Sequence, residues 1–238
     1  MSAFAAATIV TERLLLVPLR PEDADEMVDV LADPRLHQFI GGHPATLEEL
    51  RARYATLTAG SPRLEEVWRN WIVRRRADSR PVGTVQATLI RHHEGWTAQV
   101  AWIIGLPWQH QGYASEAARA LVGWLDSRHV HDLVAHIHPD HLASAKVAMR
   151  AGFQPTHDQV DGEQVWRRQT SGPRSRCGGA DEARAAGSHP LHLPRELGGS
   201  PRAGRSAWTR LATADRPRST AGRPSGSRSR RPSAGWSG

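Results

Sequence analysis

The segment AWIIGLPWQHQGYASEAA, residues 101–118, decides how the rest of the chain is interpreted. Its first residues continue a strand-like run that begins at Trp96, and its last residues start a helix-like run that extends to Leu125. Between them, the loop at 109–114 is expected to leave several backbone N–H groups unpaired and directed toward one point. Gly112 permits a close approach that a side chain would block, and the following helix adds the positive end of its dipole. The loop therefore predicts a phosphate site that needs no metal ion.

Charge divides the chain into two parts. The 238 residues carry a formal net charge of +7. Residues 170–238 contain 13 Arg against four acidic residues, a net of +9, whereas residues 1–169 contain 18 basic and 20 acidic residues, a net of −2. The basic character therefore belongs to the C-terminal segment, and we expect residues 1–169 to form one domain with little net charge.

The segment 170–238 lacks Ile, Val, Phe, Tyr and Met and is rich in Arg, Gly, Pro and Ser. Such a composition buries too little apolar surface to offset the entropy of ordering, so we expect a disordered tail. Two origins stay open. The tail is either an arm that binds nucleic acid non-specifically through its arginines, or a read-through or out-of-frame extension of a GC-rich gene.

The cysteine count and the lengths of the apolar runs indicate the cellular compartment. The single cysteine, Cys177, lies in the tail, which excludes an intrachain disulfide and a structural zinc site built from cysteines. The N-terminus has no basic region before an apolar run, and no apolar run reaches membrane-spanning length. We therefore expect a soluble, cytoplasmic protein without membrane contact, as a monomer or homodimer.

Periodicity and punctuation predict a mixed α/β domain with the order β-α-α-β-β-β-α-β-α-β-β. The first strand covers residues 14–17, and Pro21 starts the first helix. Thr46 opens the second helix as a capping box with the glutamate three residues on. Late in the domain, Asp140 is the expected N-cap of a helix that Gly152 ends.

Four segments of the domain resemble one known family, in the right order and spacing. They are TERLLLVPLRPEDADEM (11–27), GTVQATL (83–89), AWIIGLPWQHQGYASEA (101–117) and HPDHLASAKVAMRAGFQPT (138–156). The third contains the Q/R-x-x-G-x-G/A loop of the GNAT superfamily of CoA-dependent N-acyltransferases. Together they are most similar to the branch that acetylates the N-termini of ribosomal proteins.

The resemblance implies the GNAT fold, a mixed and mostly antiparallel sheet flanked by helices, with a splay between its fourth and fifth strands. It also implies acetyl-CoA as co-substrate, with the pantetheine arm received at the splay and the pyrophosphate at the loop. The residues that it assigns to acetyl-CoA are Ile103, Ile104, Gln109, His110, Gln111, Gly112, Tyr113, Ala114, Ser115 and His141. His141 stands where the family usually has an asparagine.

The catalytic residues implied by the resemblance are incomplete. Acyl transfer from a thioester to an amine needs a neutral amine, a stabilised oxyanion and a proton for the departing thiolate. The family's central glutamate is replaced by Gln99, which accepts no proton at neutral pH, and a frequent tyrosine is replaced by Ala148. Ser144 is then the candidate proton donor to the thiolate. The base stays open among Glu94, His92, His93 and a water chain.

Other interpretations remain. The loss of the usual glutamate and tyrosine allows a CoA-binding protein with degraded catalysis. His136, His138, Asp140 and His141 match the H-x-H-x-D-H pattern of dinuclear metallohydrolases, although the strand repeats of that fold are missing upstream. We therefore predict that no metal is required.

The acceptor implied by the resemblance is a primary amine, either a protein N-terminus or a small molecule such as an antibiotic. Trp68 and Trp108 are the aromatic residues that we expect to line its cleft. His37 and His43, between the two early helices, are weaker candidates for the same cleft.

Overall fold

The computed structural model describes residues 4–93 and 95–169. The predicted disordered tail at 170–238 and the candidate base Glu94 lie outside the described residues. The division of the chain at residue 169 therefore stays a prediction.

Eight strands form one sheet. In chain order they are β1 (Ile9–Val10), β2 (Leu14–Pro18), β3 (Glu66–Arg75), β4 (Pro81–His92), β5 (Gly95–Ile104), β6 (Asp132–Ile137), β7 (Gln154–Val160) and β8 (Glu163–Gln169). Their spatial order is β1-β2-β3-β4-β5-β6-β8-β7. All neighbours are antiparallel except β5 and β6, which are parallel because a helix and its loops cross between them.

Five α-helices accompany the sheet. They are α1 (Ala24–Val30), α2 (His37–Ile40), α3 (Leu47–Ala59), α4 (Tyr113–Asp126) and α5 (Leu142–Arg150). The predicted capping box of α3 is present: the Thr46 backbone N–H donates to Glu49 Oε2 at 2.7 Å, and the Glu49 N–H donates to Thr46 Oγ1 at 3.3 Å. The predicted mixed α/β GNAT architecture is confirmed, with β1 and α2 as short additions.

The two faces of the sheet bury different helices. On one face, the apolar side of α4 packs through Ala117, Leu121 and Leu125, each at most 1% exposed, as its periodicity predicts. On the other face, a separate cluster joins α1 and α3 to Ile72 of β3. Successive side chains of a strand point to opposite faces of the sheet, which produces this division. The cavity described below lies beside the face that α1 and α3 cover.

The start of α5 differs from the prediction. The N-cap is His141 and not Asp140, and the helix begins at Leu142 without a side-chain capping bond. The Asp140 backbone N–H instead donates to His138 Nδ1 at 3.2 Å, which places this aspartate in the preceding turn. Gly152 follows the end of the helix with φ +89°, the left-handed conformation expected of a helix stop.

Within the described ranges, no helix is long and apolar enough to cross a bilayer.

Candidate active site

The sheet opens between β5 and β6. These strands pair through three positions only: Thr97 with Asp132, Ala98 with Leu133, and Gln99 with Val134. Beyond them β5 continues to Ile104 and β6 to Ile137 without further pairing. The predicted splay between the fourth and fifth long strands is therefore present, and it leaves two strand edges open to a ligand.

A cavity of about 580 Å³ occupies the splay and extends on both sides of it. Its wall draws on β4, β5, the loop before α4, β6, α5 and the segment around α2. Ten of the eleven predicted site residues line it: Ile103, Ile104, Gln109, His110, Gly112, Tyr113, Ala114, Ser115, His141 and Ser144. The exception is Gln111. The structure thus brings the predicted residues to one place, while their individual roles stay predictions.

The loop before α4 has the backbone that its sequence predicts. Gly112 is the N-cap of α4, with φ +82° and ψ 0°, and His110 also has a positive φ of +61°. No backbone N–H of residues 110–115 has an acceptor in the described part of the chain. These donors and the helix N-terminus offer a site for an anion, because they lack the intrahelical partners that later residues have.

Both glutamine side chains of this loop fold back onto the backbone before them. Gln109 Nε2 donates to the Ile104 carbonyl at 2.9 Å, and Gln111 Nε2 donates to the Pro107 carbonyl at 3.2 Å. The two amides therefore hold the shape of the loop, and this explains why the side chain of Gln111 is absent from the cavity wall.

Arg13, in the turn between β1 and β2, connects the loop to α4 through hydrogen bonds to the Gln111 carbonyl and to Glu116. We call this set of contacts the Arg13 brace. Arg13 Nη1 donates to the Gln111 carbonyl at 3.0 Å, and its Nε donates to Glu116 Oε2 at 2.7 Å. Thr11 Oγ1 donates to the other oxygen of Glu116 at 2.6 Å. Burial raises the pKa of Glu116, but hydrogen bonds from Thr11 and Arg13 outweigh it and leave the pKa below its usual value.

Sequence reasoning missed Arg13, although it lies inside one of the matched segments. Its partner Glu116 is 103 residues further along the chain. No local pattern connects two residues at that separation, so the sequence held no signal for the brace.

The opposite wall combines α5 with α2. The Phe39 ring stacks on His141, with centroids 4.3 Å apart and an interplanar angle of 17°, and it lies 5.5 Å from the His138 ring. Burial, and then the charge of His138, lowers the pKa of His141. Ser144 lies on the first turn of α5, half-buried on the cavity wall. An uncharged imidazole and a hydroxyl thus lie close together on this side.

Two glutamines form the polar centre of the cavity wall. Gln99 on β5 is 3% exposed and Gln86 on β4 is 5% exposed. Both side-chain polar atoms of Gln86 and Oε1 of Gln99 are buried without a hydrogen-bond partner in the described structure. The sequence identifies Gln99 as a replaced glutamate, whereas no motif singles out Gln86.

The two histidines that the sequence offers as candidate bases lie elsewhere. His92 is the last residue of β4 and pairs with Gly95 at the far end of β5, and neither it nor His93 lines the cavity. Among the described residues, the groups that do line it include His136 on β6 and Glu163 on β8. Burial is the main reason that the pKa of His136 is lowered, with smaller opposing effects of Asp161 and Arg167.

Of the four aromatic and histidine side chains predicted for the acceptor cleft, one lines the cavity and three do not. Trp108 lines the cavity, and the Arg75 guanidinium lies 4.5 Å from its ring centroid. Trp68 packs instead against the cluster of α1 and α3, and its indole N–H donates to Glu66. His37 and His43 do not line the cavity either.

The H-x-H-x-D-H segment does not assemble into a metal site. In residues 4–93 and 95–169, no group of three or more His, Cys, Asp or Glu side chains is placed to share an ion. His141 stacks on Phe39, and His138 Nδ1 accepts the Asp140 backbone N–H. The geometry therefore gives the metallohydrolase interpretation no support.

Comparisons with known proteins agree with this architecture. A family model described as an acetyltransferase (GNAT) domain matches residues 13–154. An N-acetyltransferase of Bacillus licheniformis, named p20, is 25% identical over 148 residues, which cover 62% of this chain and 82% of that protein.

Solved structures show the same fold. An acetyltransferase from Agrobacterium tumefaciens superposes with a TM-score of 0.55 at 25% identity, over 70% of this chain and 96% of that one. The ribosomal L7/L12 α-N-protein acetyltransferase RimL, solved with coenzyme A, has a TM-score of 0.57 at 17% identity, over 68% of this chain and 98% of its own. With the open splay and the N–H loop, these matches identify the chain as an acetyltransferase of the GNAT family.

Proposed function

We propose that the protein transfers an acetyl group from acetyl-CoA to a primary amine by direct attack within a ternary complex. The observation that carries this proposal is the continuity of one cavity. It runs from the unpaired N–H groups before α4, through the splay, to the wall formed by Gln86, Gln99 and Phe39. A coenzyme and an acceptor can therefore meet in one space without a covalent enzyme intermediate.

The residues present fit acetyl-CoA. The N–H groups of residues 110–115 suit a pyrophosphate, and Lys146 and Arg150 add two cations one turn apart on the cavity side of α5. The unpaired edges of β5 and β6 can hydrogen-bond an extended pantetheine arm as if it were an added strand. When bound, acetyl-CoA supplies the activated acyl group.

Ser144 is the residue that we assign to the departing sulfur. Its hydroxyl lies on the cavity wall at the start of α5 and can pass a proton to the thiolate. His141 beside it stays neutral, because its pKa is lowered, and its ring can donate one hydrogen bond. Ala148, where a tyrosine would be expected, is fully buried in the core and contributes nothing to the cavity.

The charge of the cavity limits the acceptor. Among its described lining residues, Glu163 is the one carboxylate, whereas Arg35, Lys146 and Arg150 are cationic. Lys146 and Arg150 are assigned above to the coenzyme phosphates, so a polycationic acceptor such as an aminoglycoside has one carboxylate in this wall as a counter-charge and gains little. The acceptor is therefore a protein N-terminus or a small amine with at most one positive charge.

A thiol-release assay against a panel of N-terminal peptides, simple amines and aminoglycosides tests this function. We expect release of coenzyme A with members of the first two classes and little with the third. Calorimetric binding of acetyl-CoA, combined with no release for any acceptor, would instead support a CoA-binding protein with degraded catalysis. That alternative is favoured by Gln99, which cannot act as a base.

A further inference from the structure

Gln86 and Gln99 point into the same space from neighbouring strands. In the antiparallel pairing of β4 with β5, Gln86 lies opposite Ala101 and Thr88 lies opposite Gln99. The two glutamines therefore lie on the same face of the sheet as diagonal neighbours on adjacent strands. Long side chains at such positions can reach each other. Both line the cavity.

Three polar atoms of this amide pair have no partner in the described part of the protein. Gln86 Oε1, Gln86 Nε2 and Gln99 Oε1 are all buried without a hydrogen bond there. Buried polar atoms normally find a partner, and leaving them unpaired destabilises the fold. Three such atoms at one place on a cavity wall indicate a ligand that supplies the missing hydrogen bonds.

We infer that the amide pair is a subsite for the acceptor amine in its neutral form, an inference that rests on the proposed function. A neutral primary amine has two N–H donors, which match the two amide oxygens; Gln86 Nε2, which is a donor, is left for an acceptor atom elsewhere on the substrate. Donation of both leaves the nitrogen lone pair free to attack the thioester. An ammonium ion has no free lone pair, and the uncharged amides offer no counter-charge to replace its hydration.

Four charged side chains line the same cavity as the pair. Arg35, Lys146 and Arg150 carry positive charge, and the last two are assigned above to the coenzyme phosphates. The one carboxylate of the described wall, Glu163, precedes the residue that pairs with Ile137 at the open end of β6. None of these groups hydrogen-bonds the three unpaired atoms of the two amides.

Other titratable side chains lie along the same cavity or behind the same face of the sheet. His110, His136, His138 and His141 line the cavity, and burial is the main cause of the lowered pKa of His136 and His141. Tyr54, on α3 behind the same face of the sheet, has its pKa raised by burial.

On the neighbouring strand β3, Glu66 accepts the Trp68 indole N–H and forms an ion pair with Arg63. Because Gln86 and Gln99 both carry amide groups, the amide pair contributes no charge of its own.

The transfer balances without a base on the enzyme. The acceptor loses its first proton to solvent before it binds. Its nitrogen lone pair then forms the C–N bond, the C–S bond breaks, and the sulfur leaves with the electron pair. The second amine proton leaves the nitrogen and reaches the sulfur by way of the Ser144 hydroxyl. The products are an N-acetyl amide and coenzyme A thiol.

Selection by basicity follows from this arrangement. At neutral pH the neutral fraction of a peptide α-amine, with a pKa of about 8, exceeds that of a lysine-like amine, with a pKa of about 10.4, by roughly 200-fold. A carboxylate could take the proton from a bound ammonium ion, but an amide cannot. The difference in neutral fraction therefore persists as a difference in the rate of acetylation. The amide pair therefore makes acceptor pKa a determinant of specificity.

The test is the pH dependence of kcat/KM for the full chain between about pH 6 and pH 10, with acetyl-CoA saturating. The acceptors are otherwise identical peptides that begin with glycine or β-alanine, together with 2-methoxyethylamine and 2,2-difluoroethylamine, whose amines all titrate inside this pH range. We expect the inflection to move with the pKa of each acceptor amine. An inflection fixed at one pH for all acceptors would overturn the subsite and reveal an enzyme base.

Two variants sharpen the result. Gln99→Glu restores a proton acceptor, so it should add an inflection that does not depend on the acceptor and should reduce the discrimination at pH 7 at least about tenfold. Gln154→Glu adds the same carboxylate at an exposed position of β7, away from the cavity wall, and should leave the profile unchanged. If Gln99→Glu does not fold, the wild-type acceptor series still decides.

The outcomes separate the two proposals. Absence of acetylation for every amine tested contradicts the proposed function itself. Acetylation with a fixed inflection keeps the function and removes the amine subsite.

Discussion

Gly112 combines a backbone requirement and a chemical one. Its φ of +82° costs a residue with a side chain roughly 1–2 kcal/mol. A Cβ there would lie 3.3 Å from Arg13 Nη2, a tight approach that a small shift of a flexible side chain relieves. The fold should thus survive substitution, while the anion site in front of α4 should not.

Gly112→Asp tests the anion site. The added carboxylate would stand at the unpaired N–H groups and repel a phosphate, so we expect acetyl-CoA binding to be lost in calorimetry. Gly123→Asp is the matched control, because Gly123 lies on an exposed part of α4 and a Cβ added there would have no other atom within 4 Å. Unchanged affinity in a folded Gly112→Asp protein would refute the assignment of the loop.

Ser144→Ala tests the proton donor. We expect kcat to fall by about 10- to 100-fold, toward the lower end of general acid catalysis. The KM for acetyl-CoA should change little, because the hydroxyl acts on the departing sulfur and not on binding. Steady-state kinetics at saturating acceptor measures both. Wild-type turnover would show that the thiolate leaves without help from this side chain.

At the scale of elements, the brace of Arg13 ties the turn between β1 and β2 to the start of α4. The Glu116 side chain is 11% exposed and the Arg13 side chain 47% exposed, so solvent weakens the ion pair. The brace should nonetheless fix the loop, because one guanidinium contacts both the Gln111 carbonyl and Glu116.

Arg13→Ala should lower the unfolding free energy by about 1 kcal/mol at neutral pH and weaken acetyl-CoA binding. The pKa of Glu116 is lowered in the fold, so its contribution is present above the unfolded value of about 4.3 and is lost as pH falls through the lower folded value. The difference from wild type should therefore shrink in acid to the part that the hydrogen bond to the Gln111 carbonyl contributes.

Denaturant unfolding at several pH values measures this difference. Arg119→Ala removes the same charge at an exposed position of α4 away from the cavity wall, so it should leave both stability and coenzyme binding nearly unchanged. A stability loss in Arg13→Ala that is equal at neutral and acid pH would show that Glu116 is not the partner that matters.

For the whole molecule, we expect no dependence on metal. The anion site uses backbone donors and a helix N-terminus, which supply positive potential without an ion. Protein stripped with a chelator should keep its acetyl-CoA affinity and transferase activity. Two tightly held zinc ions per chain, with hydrolase activity lost on stripping, would favour the metallohydrolase interpretation instead.

The tail should contribute nothing to the chemistry. All described residues of the cavity wall precede residue 164, and β8 ends at Gln169. Truncation after Gln169 should leave Tm and acetyl-CoA affinity unchanged. It should also remove any nucleic-acid binding, which the +9 charge would cause and which salt should weaken steeply through counterion release. Loss of folding on truncation would show that the tail belongs to the domain.

The features that the sequence predicted by itself are local. The anion loop before α4, the capping box of α3 and the apolar side of α4 each depend on residues a few positions apart. Their spacing is visible in the sequence because hydrogen bonds and helical periodicity act at short range. The order of the four matched segments extended this to the fold and to the site residues, of which ten of eleven line the cavity.

The features that only the tertiary structure decided connect distant positions. Arg13 meets Glu116 across 103 residues, and Phe39 of α2 stacks on His141 at the start of α5. Gln86 lies beside Gln99 only because β4 and β5 pair in one register. A shift of one residue would turn either side chain to the opposite face, and the diagonal placement of the two glutamines depends on how the two strands pair. The polar centre of the cavity is thus set by strand pairing, whereas the loop proposed to receive an anion depends mainly on its own residues, with Arg13 as its distant partner.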